Sequence, residues 1–310
     1  MKKVLVFIPV FNDVESLFLL TDEIIKLNKK NKTDNLIIHF CFLMDGSPNE
    51  TYDAALSIVK KFPTTFSMVC YSRNYGYERS LTHSINFARS DALVFLDCDG
   101  EDPPEMIFSF IEKWKEGQKI VYGYRFDRPE NIVIKTLRHS FYDLLKTVSD
   151  GNSIPRMANF FLIDSSIYKY LKNLNDNFPF LRFKIANLGF SPYGIKYTRR
   201  KRIAGKSAYN ITGNLKYALA GILSSSTWVL RVLGIAGFVL AILMPLFIFT
   251  QYNLFYFSTI VDFFIIISLS FILIYLSRIY SNSIRLDKPI VDIDKSIINS
   301  DIIDISFYEN

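Results

Sequence analysis

An alternating α/β domain followed by a pair of membrane-crossing helices is the architecture this sequence predicts, and three observations predict it. Apolar runs rich in β-formers alternate with amphipathic helical stretches over roughly the first 125 residues, the pattern of a mostly parallel sheet covered on both faces. From Val232 to Val261 there is no charged residue, and after Asp262 the run Phe263–Ser277 is again uncharged. About 45 residues of this kind fit two spans of about 20, joined by a turn near Gln251-Tyr252-Asn253. Basic residues crowd both flanks: Arg199, Arg200, Lys201, Arg202 and Lys206 before, Arg231 at the edge, and Arg278, Arg285 and Lys288 after. By the positive-inside tendency both flanks are cytoplasmic, which makes the chain a multi-pass protein of the inner membrane.

The elements follow in order. Lys3–Pro9 reads as a strand, and Asn12-Asp13 offers a cap for a helix through about Lys30, whose Leu17, Leu20, Ile24 and Leu27 share one face. Leu36–Met44 is a second strand ending at Asp45-Gly46-Ser47-Pro48, with Thr51–Lys61 a helix after it. Phe66–Tyr71 is a third strand, and Arg73-Asn74-Tyr75-Gly76 leads into a helix through about Arg89. Ala92–Leu96, a helix from Pro104 to about Glu116 and the strand Lys119–Tyr124 complete the alternation. Beyond it, Ile132–Val148 reads as a helix, Met157–Ile163 as a strand, Ser166–Leu174 as a short helix and Ile195–Tyr197 as part of a strand. Tyr209–Ser226 suits a helix lying along the membrane surface. The tail after Arg285 alternates Ile with polar residues, and two readings stand, an added strand or a mobile tail.

The chemistry concentrates at Val94–Glu105, where a buried strand ends in Asp97 and Asp99. In an open α/β sheet ligands bind beyond the carboxyl ends of the strands, and hard oxygen ligands there suit Mg²⁺ or Mn²⁺ bridging a diphosphate. Pro103 and Pro104 then start the next helix. The 310 residues are 50% hydrophobic with a net charge of +6, and the charge matters through its placement. A basic cluster beside an apolar stretch points to anionic lipid or a lipid phosphate rather than to nucleic acid. Three scattered cysteines, Cys41, Cys70 and Cys98, exclude a disulfide framework or a zinc site, and no secretory leader is expected at the amino end.

Six stretches in order carry a family resemblance. They are Ile8-Pro9-Val10-Phe11-Asn12-Asp13, Asp45-Gly46-Ser47, Arg73-Asn74-Tyr75-Gly76, Asp97 to Glu105, Tyr122-Gly123-Tyr124-Arg125 and Arg202 to Tyr209. The sequence resembles family 2 glycosyltransferases of the polyprenyl-phosphate type, such as dolichyl-phosphate mannosyltransferases and bactoprenol glucosyltransferases. The resemblance implies a GT-A domain over 1–208, an amphipathic segment over 209–228, a two-helix transmembrane hairpin over 229–280 and a cytoplasmic tail over 281–310. It implies a nucleotide-sugar donor held by Pro9, Phe11, Asp13, Asp45 and Asp97, with Mg²⁺ or Mn²⁺ on Asp97, Asp99 and Glu101. A polyprenyl phosphate acceptor would be held by Arg125, Arg202 and Ser207, with Asp99, Arg125 and Arg202 as the catalytic set. Membrane lipid and a further copy of the chain in a homo-oligomer are the implied partners.

The reaction so implied is attack of a lipid phosphate oxygen on the anomeric carbon, with inversion and loss of the nucleoside diphosphate. An anionic nucleophile needs no strong base; it needs its own charge and that of the leaving group offset. The sequence departs from the family at Met44, where an acid is common, at Glu101, where Gln is common, at Phe161, where Arg is common, and at Ala208, where Lys is common. Two alternatives therefore stand beside this reading. One is transfer to a glycan hydroxyl with Asp102 or Glu101 as base; the other is a catalytically silent homologue, suggested by Met44 and Phe161.

Overall fold

The protein was analysed as a computed structural model that describes residues 1–31, 35–125, 154, 157–172, 181–204, 228–249, 254–284 and 288–306. Two compact units emerge. One contains the described residues up to Ala204 together with the tail from Lys288, and the other contains the apolar helices.

In the first unit the strands are β1 (Lys2–Val10), β2 (Leu36–Asp45), β3 (Phe66–Tyr71), β4 (Ala92–Phe95), β5 (Ile120–Arg125), β6 (Met157–Asp164), β7 (Tyr193–Tyr197) and β8 (Val291–Ile297). They form one sheet in the order β7-β5-β6-β4-β1-β2-β3-β8. The helices are α1 (Val14–Lys30), α2 (Asn49–Lys61), α3 (Tyr77–Ser84), α4 (Met106–Lys115), α5 (Ser165–Lys172) and α6 (Leu181–Asn187). Alternate residues of β1 feed opposite faces, as strand geometry requires. Val4, Val6 and Ile8 pack with Leu17 and Ile24 of α1, Ile58 of α2 and Phe110 of α4. Leu5 and Phe7 lie in the opposite core with Leu81 of α3, Ile167 of α5 and Ile185 of α6.

The strands β3-β2-β1-β4 are parallel, as the alternation predicts. Beyond them the sheet is mixed, with β6 and β8 running against the other strands. β6 is inserted between β4 and β5 and runs antiparallel to both, while β5 pairs in parallel only with β7. A crossover helix fixes the direction of β5 but not its neighbour, and the chain returning after β5 fills the gap in the direction opposite to a crossover. The tail also joins the sheet. β8 pairs antiparallel with β3 and covers what would be an open edge, after which Ile302, Ile303 and Ile305 are buried against the α3 side.

In the second unit two helices form, α7 (Trp228–Phe249) and α8 (Leu254–Ile284). They approach closely at Gly237, where an added Cβ would sit 3.2 Å from the Phe264 ring. Among the described residues only Ser258–Ser277 is long and apolar enough to cross a membrane, and none of it is buried. The apolar stretch Leu230–Leu243 in α7 is shorter, so of the two expected spans only one is long and apolar enough among the described residues. The expected helices at Ile132–Val148 and Tyr209–Ser226, and the turn at Gln251-Tyr252-Asn253, lie outside the described residues.

Candidate active site

The strand order reverses at β1: β2 lies on one side of it and β4 on the other. Such a switch point opens a crevice beyond the carboxyl ends of the two strands. Phe11 to Asp13 follow β1 into that crevice and Asp97 to Asp102 follow β4. Phe11 is 47% exposed, a bare ring at the mouth. Pro9 pairs opposite Leu43 and is half-buried. Asp13 makes no side-chain capping bond to α1, and its charge is felt at Cys98.

Asp97 is held from the side. Asp45 at the end of β2 accepts the backbone N–H groups of Tyr75 and Gly76 at 2.8 and 2.9 Å. This ties down the loop that starts α3, and Gly46 (φ +65°) permits it, since a Cβ there would meet the Asn74 nitrogen at 2.3 Å. Tyr77, the first residue of α3, then donates its hydroxyl to Asp97 at 2.6 Å. Burial, reinforced by the negative charges of Asp102 and Asp99, pushes the Asp97 carboxyl up to about 7. Asp45, expected to line a nucleotide pocket, also fixes this loop, since its carboxylate accepts both N–H groups.

Asp99 and Glu101 meet the basic run. The backbone N–H of Arg200 donates to Glu101 O at 2.8 Å and that of Ile203 to Asp99 O at 3.1 Å, so residues 200–203 are stitched to the acidic loop. Gly100 (φ +68°) lets them close, because an added Cβ would lie 2.0 Å from Ile203 Cδ1. Arg202 reaches Asp99 at 3.0 Å and Glu101 at 3.3 Å, and Arg199 pairs with Glu101. Burial raises the Asp99 carboxyl, with the Glu101 N–H and both arginines acting against it.

Three site expectations change here. Arg125 is committed to Asp102, at 3.0 Å, and to the Tyr197 hydroxyl, also at 3.0 Å. Asp102 is wholly buried and accepts from Tyr197 as well. Arg125 thus ties β5 and β7 to the acidic loop, and Asp102 has no free edge with which to act as a base. Glu101 turns to Arg199 and Arg202, and among the described residues no three His, Cys, Asp or Glu side chains converge as a ready metal cluster. The three-carboxylate ligand set is therefore not assembled. Asp97 and Asp99 still suit a hard divalent ion by charge and donor type, since repulsion and burial raise both carboxyls and a cation would relieve that. Ser207 lies outside the described residues. Sequence reasoning missed Tyr77, Tyr197 and Arg199 as members of this network; only the place of Tyr77, directly after the Asn74-Tyr75-Gly76 turn, hinted at its role.

The sequence model of the family described as "Glycosyl transferase family 2" matches residues 5–190, more than half of the chain. The chain belongs to glycosyl transferase family 2. This glycosyltransferase is 28% identical over 243 residues to the uncharacterized glycosyltransferase YkcC of Bacillus subtilis (strain 168), covering 76% of this chain and 72% of that one. It is also 28% identical over 243 residues to the prophage bactoprenol glucosyl transferase homolog of Escherichia coli (strain K12), covering 77% of each. Among solved structures, glucosyl-3-phosphoglycerate synthase from Mycobacterium tuberculosis, crystallised with Mn²⁺, UDP and phosphoglyceric acid, superposes with a TM-score of 0.50 at 18% identity. That match covers 72% of this chain and 78% of the other, and it supports the GT-A-like fold of the catalytic unit.

Proposed function

We propose that this glycosyltransferase moves a sugar from a nucleotide-sugar donor to a polyprenyl phosphate at the cytoplasmic membrane face, with inversion at the anomeric carbon. The observation that carries the reading is the docking of Arg199 and Arg202 on Asp99 and Glu101 at the β1/β4 switch point. One mouth there holds carboxylates able to take Mg²⁺ or Mn²⁺ and guanidiniums able to grip phosphate oxygens. Relatives named as bactoprenol glucosyl transferases, including one from Shigella phage SfV at 28% identity over 234 residues, support the acceptor class.

The residues divide the work by charge. Asp97 and Asp99 would hold the ion, which when bound offsets charge on the departing diphosphate. Arg202, which stands on Asp99 and Glu101, would neutralise the acceptor phosphate and bring two anions into line. Phe11 offers a flat face to the donor base at the mouth. Tyr77 keeps Asp97 fixed through its hydroxyl. A phosphate oxygen is already anionic at neutral pH, so the commitment of Asp102 to Arg125 and Tyr197 costs this reaction nothing, whereas a hydroxyl acceptor would need the base that Asp102 does not provide.

Membrane attachment in this reading uses both apolar helices. β8 is hydrogen-bonded to β3, so the chain leaves the catalytic unit and comes back to it on the same side of any bilayer. An even number of crossings follows, and α7 and α8 would supply two. Purified protein given radiolabelled nucleotide sugars, Mn²⁺ or Mg²⁺ and undecaprenyl phosphate is expected to yield labelled lipid. Label only on added glycan, or no transfer with any donor, would refute the proposal.

A further inference from the structure

The described chain of the catalytic unit breaks off at Ala204 and resumes at Lys288, and both points lie at one end of the sheet. On the outgoing side, residues 200–203 are bonded to the loop after β4, and Ala204 O accepts the Ser16 hydroxyl at the start of α1. On the return, Ile290 O accepts the Ser72 N–H just past the end of β3, and Val291 pairs with Tyr71, the last residue of β3. Both points are at the carboxyl ends of the strands, the first at the β1/β4 crevice and the second beyond β3.

Exposed apolar side chains mark the same end. Phe18 and Leu19, in the second turn of α1 and two and three residues from Ser16, are each 43% exposed, and Ile290 is 56% exposed. The inward face of α1 is already supplied by Leu17, Leu20 and Ile24, so Phe18 and Leu19 are surplus to the core. Exposed Lys201 and Lys288 stand beside the two points. Apolar side chains flanked by lysines suit the headgroup boundary of an anionic bilayer, where the rings and branches are buried and the ammonium groups meet phosphates.

We infer that Phe18, Leu19 and Ile290 form a rim by which the catalytic unit itself rests in an anionic bilayer surface, with the crevice at the same end of the sheet turned toward the lipid. The inference rests on the membrane reading above and adds to it a specific contact surface outside the apolar helices. Such a rim would let an acceptor phosphate reach Arg202 without its tail leaving the hydrocarbon.

Nitroxide labels test it in the full chain reconstituted into phosphatidylglycerol-containing liposomes. The native cysteines are buried and do not compete for label. Labels at Leu19→Cys and Ile290→Cys are expected to collide several-fold more with oxygen than with a water-soluble nickel chelate. A label at Asn31→Cys, at the far end of α1, is expected to show the reverse. Failure of the chain to float with liposomes would overturn the membrane reading and this inference with it. Flotation with nickel accessibility at 19 and 290 equal to that at 31 would overturn the rim alone. Protection from both reagents would also overturn it, in favour of contact with a second protein copy.

Discussion

Asp99 and Asp102 stand three residues apart in one loop and meet opposite fates. Asp99 sits at the mouth of the crevice, and its arginine partners come from a segment about a hundred residues on that attaches through two backbone hydrogen bonds. Asp102 is fully buried, and its partners Arg125 and Tyr197 stand on strands of the same sheet. The difference teaches where charge is available for chemistry. The difference lies in the carboxylates: one that is partly exposed can exchange an arginine for a ligand, whereas one that is wholly buried can turn only to its protein partners.

The largest expected effect breaks the buried side. Asp102→Ala leaves the Arg125 guanidinium with the Tyr197 hydroxyl alone and is expected to cost about 3 kcal/mol of stability, read as a melting-temperature drop on the order of 10 °C. The double variant Asp102→Ala/Arg125→Met should recover a good part of that loss; no recovery would show that the ion pair is not what Asp102 contributes. Asp99→Asn addresses the other side. Turnover is expected to fall about 10²–10³-fold while the melting temperature barely moves, and a variant that unfolds instead would erase the distinction between the two acids.

A pH titration sharpens the comparison by separating loss of fold from loss of activity. His83 lies between the Tyr71 and Phe87 rings with Lys288 nearby, and burial, then the Lys288 charge, lowers its imidazole to about 4. Since the folded value lies below the unfolded one, neutral His83 contributes stability in full above about pH 6.5, and that contribution drains away as pH falls toward 4. The loss should approach ~3 kcal/mol, and His83→Gln should flatten melting temperature against pH over that window. The smallest effect is expected at Tyr77→Phe, which removes the hydroxyl held by Asp97. Donor KM should rise about tenfold with little change in kcat; an equal fall in kcat would mean that the hydroxyl acts in the transition state.

The same contrast explains what could be read from the sequence. Strands β1 to β4 were legible because each buried run stands between helices whose apolar spacing is regular, and Phe66–Tyr71 agrees to the residue. The place of β6 was not, because strand pattern gives direction and partner only when the connection is short, and β6 follows a long excursion after β5. The tail showed its Ile and polar alternation, but nothing local says that β3 is its partner. At the site, the acidic loop was legible from two acids following an apolar run. The partners of Arg125 and Asp45 were not legible because a charged residue at a strand end looks alike in sequence whether it awaits a phosphate or is bound to the neighbouring loop. Only long-range partners separate the cases: Asp102 for Arg125, and the Tyr75 and Gly76 amides for Asp45.

The most direct measurement is Mn²⁺ binding followed by the loss of the free-ion EPR signal in the presence of a nucleoside diphosphate. The account predicts one ion bound per wild-type chain, binding lost in Asp99→Asn, and binding kept by the folded Asp102→Ala/Arg125→Met protein. Undiminished binding in Asp99→Asn, or loss confined to the Asp102 variant, would contradict it.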